Sequence, residues 1–260
     1  AGCYQEASTQ KIPWGVIRVG YGSGAGKTAW VVDTGVDIDH PDLIVDKTRS
    51  MSFIPGTSVD DDHGHGTHVA GIIAARNNNI GVVGVAADAT IIALKVMNKD
   101  GKGSLSNVIQ AVAHIGKMAK PGDVVNMSIG GGSSKTLDEE VLKVAEKGVL
   151  FAVAAGNEGI DCRNSSPARI NHPNIFTVSA MNDKDVFASF SNYSADIVDF
   201  CAPGTFITST FLNGTYSAMT GTSMATPHVA GLLILKGKNI SIDGYVKEDP
   251  DGKADPIAHK

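Results

Sequence analysis

Short apolar, β-branched runs alternate with longer amphipathic stretches along this chain. The runs at 28–32, 90–96, 123–129, 149–154 and 175–180 are almost wholly apolar, the pattern of strands buried on both faces. Between them, 104–120 carries Leu105, Val108, Ile109, Val112, Ile115 and Met118 at helical spacing. The stretch 136–147 opens with Asp138, Glu139 and Glu140, closes with Lys143 and Lys147, and stops at Gly148. That charge order complements a helix dipole, and the glycine suits the position after a helix end. Helices are also predicted over 67–76 and 222–235. Strand–helix alternation implies parallel βαβ units. The expected fold is therefore α/β: a three-layer, doubly wound, mostly parallel sheet with helices on both faces. Such sheets gather their sites at the carboxyl ends of strands. From residue 236 the pattern weakens, and Asp249-Pro250-Asp251-Gly252 reads as turns. We expect a single domain over 1–260, with 236–260 an atypical short tail.

Composition narrows the function. The 260 residues are 42% hydrophobic and 19% charged, which excludes global disorder. A net charge of −5 argues against a nucleic-acid binder that works through a basic field. The longest apolar run, 149–155, is far short of the roughly 20 residues that span a bilayer, so no membrane partner is expected. Three cysteines are too few for a disulfide scaffold, and their odd number leaves one thiol over. The 30 glycines exceed average usage and show no collagen-like period.

The segment Gly22-Ser23-Gly24-Ala25-Gly26-Lys27-Thr28 imitates a phosphate-binding loop. With Gly26-Lys27-Thr28 in place, that motif needs glycine at position 21, where Tyr21 stands. The loop also leads into a strand and not a helix. A flexible turn before a strand is the better account, and a P-loop nucleotide hydrolase is disfavoured.

Three other segments carry chemistry. Asp33-Thr34-Gly35 ends the first strand, where Asp33 could serve a site or form a turn. Asp62-His63-Gly64-His65-Gly66-Thr67-His68 places three histidines within six residues. Catalysis, structure and metal binding all fit it, although zinc would want a further ligand and H-E-x-x-H spacing. In Gly221-Thr222-Ser223-Met224-Ala225-Thr226-Pro227-His228, Ser223 stands at the start of an apolar helix. There it could cap the helix, or use the free N–H groups and positive dipole end to favour a developing oxyanion. The α/β-hydrolase elbow G-x-S-x-G is absent, since Ala225 occupies its last position.

Together the three segments resemble, in order and in wording, the signature blocks of the subtilisin-like serine proteases, over about residues 10–235. The resemblance implies a serine endopeptidase. Ser223 would be the nucleophile, His65 the general base, and Asp33 the group that orients the imidazole. His68 would be structural, and His63 and His228 neighbours. Ala154-Ala155-Gly156-Asn157-Glu158 matches the segment whose asparagine donates to the oxyanion, giving Asn157 that role. Ser128-Ile129-Gly130 and Ala154-Ala155-Gly156 match the walls of the S1 pocket, with Glu158 at its rim. These small residues would admit a large apolar P1 side chain, and Glu158 would tolerate a basic one. Gly101-Lys102-Gly103 matches the edge that pairs with extended substrate, which makes recognition broad. Leu105 and Val108 would face the P4 side chain or belong to the helix core.

The resemblance also implies a structural Ca²⁺. Its ligands would be the side chains of Gln10, Asp42 and Asn78 and the carbonyls of Arg76, Ile80 and Val82. Asp249, Asp251 and Asp255 are spaced like a weak cation loop but read better as a solvated turn. Whether Cys162 and Cys201 pair stays open, and Cys3 is then single. Asn164, Asn192 and Asn213 stand in N-x-[ST] sequons. Only 37 residues follow Ser223, fewer than is usual in the family. The expected protein is a secreted, calcium-stabilised monomer acting on polypeptides. A propeptide removed before Ala1 would suit the family. The rival is a catalytically silent module that keeps the fold for binding.

Overall fold

The computed structural model describes residues 3–4 and 9–260. Ala1 and the side chain of Cys3 lie outside the described residues. In the strand Thr28–Asp33 (β1), Ala29 and Val31 enter one apolar cluster, Trp30 and Val32 another. Side chains alternate with a period of two, so a core on each face requires an unbroken apolar run. Thr90–Lys95 (β2) sorts Ile91 and Ala93 from Ile92 and Leu94 in the same way. Val124–Met127 (β3), Leu150–Ala154 (β4), Ile175–Met181 (β5) and Val198–Pro203 (β6) complete a parallel set in the spatial order β6-β5-β4-β3-β1-β2.

Two long helices cover each face, and the short helix Trp14–Val19 adds Val16 and Val19 to the first cluster. His65–Ala74 (α1) and Thr222–Lys236 (α4) contribute Val69, Ile72, Ile73, Met224, Val229 and Leu232 to the first cluster. Leu105–Met118 (α2) and Lys135–Ala145 (α3) contribute Val112, Ile115, Val141 and Val144 to the second. Each of α2 and α3 starts behind a serine whose side chain accepts a backbone N–H, from Asn107 to Ser104 and from Leu137 to Ser134. The architecture is thus the expected three-layer α/β fold, and the predicted strands and helices sit within two residues of the observed ends.

Apart from short elements such as the helix Trp14–Val19, the differences lie after β6. Ile207–Phe211 (β7) and Thr215–Met219 (β8) form an antiparallel hairpin that delivers the chain into α4. The tail is more than turns. Ser241–Tyr245 (β9) and Pro256–His259 (β10) pair antiparallel, and β10 lies parallel beside β6 through Cys201 and Ile257. All five residues of β9 are exposed, so the strand has no apolar alternation to betray it. The turn at 249–252 connects the two, and the Lys260 N–H donates to the Val19 carbonyl at 2.8 Å, at the end of the short helix Trp14–Val19. Asp255 is a correction: it is buried and not solvated. Its carboxylate accepts the Ser179 hydroxyl, and burial pushes it up to about 7.

Cys162 and Cys201 are both buried free thiols. Cys201 packs among Met181, Phe187, Val246 and Ile257, a cluster that does not include Cys162. No helix among the described residues is long and apolar enough to cross a membrane.

Candidate active site

Asp33 is the last residue of β1, at the carboxyl end of the sheet, and is fully buried. Its Oδ1 accepts the Thr34 N–H and lies 2.7 Å from His65 Nδ1, while its Oδ2 is buried without a partner. His65 opens α1. The helix approaches β1 closely because position 66 is glycine: a Cβ there would lie 2.0 Å from the Gly35 carbonyl oxygen. The Asp61 carboxylate caps α1 by accepting from Thr67 N–H and Oγ1 and from Gly64 N–H, at 3.0, 2.6 and 3.0 Å. Burial opposes protonation of His65. The charge and hydrogen bond of Asp33, with Asp61 behind, outweigh it and raise the imidazole above its ordinary value.

Ser223 is the second residue of α4. Its hydroxyl donates to the Ser128 carbonyl at 2.9 Å and makes no hydrogen bond to His65 among the described residues. The Ser128 hydroxyl in turn donates to the Ser223 carbonyl at 2.8 Å, and Asn126 Nδ2 donates to that hydroxyl. Asn157 follows β4. Its Oδ1 accepts the Thr222 N–H at 2.8 Å and the Thr222 hydroxyl at 2.9 Å. With Oδ1 engaged twice, Nδ2 is the end of that amide left to donate.

A cleft of about 320 Å³ is bounded on one side by Ser128, Ile129 and Gly130, which follow β3. Ala154, Ala155 and Gly156 bound the other side, with Asn157, Glu158, Thr222 and Ser223 at hand. A second cleft of about 620 Å³ shares Ile129 and Gly130 and is lined by Gly101, Lys102, Gly103, Leu105 and Val108. Leu105 is exposed, whereas Val108 also packs on the α2–α3 core. The structure therefore joins Asp33 to His65, packs the helix that His65 opens against the helix that carries Ser223, and sets Ser223 beside both walls of the first cleft.

Elsewhere, a cluster of oxygens from 76–82 forms around Gln10, 66 to 72 residues earlier in the chain. The carbonyls of Arg76, Ile80 and Val82 and Asn78 Oδ1 converge on Gln10 Nε2 at 2.7, 3.0, 3.2 and 3.3 Å. Asp42 is buried nearby, its Oδ2 accepting the Val82 N–H and its Oδ1 lacking any partner. Burial pushes its carboxyl up to about 6.

Two of the remaining histidines are structural. His68 Nε2 lies between the carbonyls of Ile207 and Ser217 at 2.9 and 3.0 Å, and burial pulls its ring down to about 3. His228 donates from Nδ1 to the Met224 carbonyl, and burial pulls it down to about 4. His63 Nδ1 accepts the His65 N–H. Three further contributors escaped the sequence reading: Asp61, Thr222 and Asn192. Thr222 stands inside a quoted block, but only its contact with Asn157 reveals its part.

Residues 24–240 match the Subtilase family (Peptidase_S8). The chain is 43% identical to Subtilisin BL of Lederbergia lenta over 242 residues, 89% of this chain and 87% of that one. It is equally similar, with the same coverage, to Subtilisin Savinase of the same organism. Among solved structures, that of a cold adapted subtilisin-like serine proteinase matches with a TM-score of 0.81 at 35% identity, over 95% of this chain and 97% of that one.

Proposed function

The chain belongs to the subtilase family and is a serine endopeptidase of the subtilisin type, and from that premise we propose how its own residues work. Ser223 attacks the peptide carbonyl after its hydroxyl turns from the Ser128 carbonyl toward His65. His65 takes the hydroxyl proton as the Oγ–C bond forms, then gives it to the leaving amine as the C–N bond breaks. Water repeats the cycle on the acyl-enzyme and frees the acid. Asp33 keeps the imidazole in one tautomer and stabilises its charged form, and the 2.7 Å contact between them is the observation that carries this reading. The oxyanion is held by Asn157 Nδ2 and the Ser223 N–H at the start of α4.

The 320 Å³ cleft, walled by Ser128, Ile129 and Gly130 on one side and Ala154, Ala155 and Gly156 on the other, suits a large apolar P1 side chain. One oxygen of Glu158 is tied to the Asn157 N–H and to Asn192, which leaves the other for a basic P1. Extended substrate pairs along Gly101-Lys102-Gly103, so backbone recognition dominates and specificity is broad.

A structural Ca²⁺ fits the residues around Gln10. Four oxygens already converge on one amide nitrogen, and a buried carboxylate oxygen lacks a partner. With its amide turned so that Oε1 and not Nε2 faces the cluster, Gln10 would join Asp42, Asn78 and the carbonyls of Arg76, Ile80 and Val82 in an all-oxygen set with one carboxylate, which suits this hard cation. The ion would neutralise Asp42 and brace the loop behind α1. We place the enzyme outside the cell, as a monomer acting on polypeptides after a propeptide is removed, in keeping with its similarity to subtilisins.

A serine-directed fluorophosphonate tests the reading. Wild type should be labelled once, at Ser223, and should hydrolyse casein. Labelling or hydrolysis that survives Ser223→Ala overturns the assignment.

A further inference from the structure

The mechanism above does not use Asn192, which is fully buried in the loop between β5 and β6. Its sequence context, Asn192-Tyr193-Ser194, is a glycosylation sequon, yet no sugar can reach a side chain with no exposed surface. Instead every hydrogen-bonding group of the residue is engaged. Oδ1 accepts the N–H groups of Glu158 and Ile160, both at 3.0 Å. Nδ2 donates to the Ala155 carbonyl at 3.0 Å and to Glu158 Oε2 at 2.8 Å. The backbone N–H donates to the Gly156 carbonyl at 2.9 Å, and the Asn192 carbonyl accepts the Ser191 hydroxyl. All the loop contacts fall on 155–160, the segment that holds Asn157.

Gly156 makes this grip feasible. Its φ is +110°, and a Cβ there would stand 2.2 Å from Asn192 Nδ2. Only a residue without a side chain lets the amide approach this near. Asn157 is thus held twice, its side chain by Thr222 and its backbone segment by Asn192. We propose that Asn192 is a positioning residue for catalysis: it sets the height of the Asn157 amide against Ser223 and anchors the Glu158 carboxylate at the rim of the P1 cleft. This inference rests on the proposed roles of Ser223 and Asn157.

The test uses the full-length enzyme and tetrapeptide anilides with P1 Phe or P1 Lys. Asn192→Asp keeps both acceptor bonds but loses the donor to Ala155 and sets a second carboxylate against Glu158. Asn192→Ser removes the grip without adding charge. For P1 Phe, both variants should lower kcat about tenfold or more while KM moves less than about threefold, a part of the 10²–10³ loss expected when an oxyanion donor is removed outright. In an Asn157→Ala background the same substitutions should change kcat less than about twofold, and the ratio of P1 Lys to P1 Phe cleavage should shift in Asn192→Asp. Equal losses in both backgrounds, an unchanged kcat, or failure of both variants to fold would overturn the proposal and leave Asn192 a purely structural residue. Fluorophosphonate labelling of wild type at Ser223 separates this failure from failure of the underlying mechanism.

Discussion

Ser128 and Ser223 exchange two hydrogen bonds: each hydroxyl donates to the other residue's carbonyl, at 2.8 and 2.9 Å. The reason lies one turn along α4. Pro227 has no N–H, so the Ser223 carbonyl loses its helical partner, and the Ser128 hydroxyl replaces it. Removing that hydroxyl in Ser128→Ala should cost about 1 kcal/mol of stability. Urea unfolding of the Ser223→Ala and Ser128→Ala, Ser223→Ala enzymes, which cannot digest themselves, measures it. No difference between them would mean that water satisfies the carbonyl equally well.

Asn157→Ala should fold normally and lose about 10²–10³ in kcat with little change in KM, a magnitude established on subtilisin and not on this chain. Thr222→Val removes one of two donors to Asn157 Oδ1 and keeps the backbone one. It should cost roughly tenfold, the equivalent of about one hydrogen bond. Steady-state kinetics on one anilide substrate compares the two directly.

The raised affinity of His65 for protons has opposite consequences for rate and stability. The base must be neutral to act, so kcat/KM should climb with pH through a midpoint above the ordinary 6.5. Because the folded value exceeds the unfolded one, the stabilisation by the Asp33–His65 pair is complete below the unfolded value. It is lost as pH rises through the folded one. Asp33→Asn should drop kcat by about 10⁴ and shift the surviving limb to lower pH. A limb that stays in place would separate Asp33 from the titration.

Chelation should lower the melting temperature, and added Ca²⁺ should restore it with a concentration dependence set by its affinity. Asp42→Asn should abolish that response. Scanning calorimetry of the Ser223→Ala protein reads it free of self-digestion, and an unresponsive Tm would remove Gln10, Asp42 and Asn78 from the site.

A second pH effect is expected at Asp255. Burial, with Asp249 and Asp251 adding repulsion, pushes its carboxyl up to about 7. The folded state therefore prefers the protonated form, and stability falls as pH rises from about 4 to 7. Asp255→Asn still accepts the Ser179 hydroxyl and stays neutral. It should raise stability by about 2–4 kcal/mol at pH 8 and change little at pH 4. Equal stabilities at pH 8 would show that the carboxylate is compensated.

The layered fold and the three blocks were legible because both are local in the chain. Runs such as 28–32 and 90–96 are apolar on both faces, and Asp33, His65 and Ser223 each sit inside a motif of fixed wording. What escaped depends on pairing at a distance. The strand Ser241–Tyr245 is exposed throughout and has no period to detect. Asn192 advertised a sequon, a surface feature, while its side chain was committed to a loop 34 to 37 residues upstream. The Ser128–Ser223 exchange needed the proline and the opposing strand end in one view.

The order of the sheet also has a consequence in time. β1 lies between β2 and β3 and so waits for partners synthesised well after it, and β10 reaches β6 only near residue 257. The Lys260 contact with Val19 spans nearly the whole chain. Parallel pairing between such distant segments forms slowly, because chain entropy is lost before contacts compensate. A high barrier between the folded and unfolded states slows the reverse reaction as well. For an endopeptidase surrounded by copies of itself, survival is then a matter of how rarely any molecule opens, and working lifetime follows the unfolding rate more closely than the equilibrium stability.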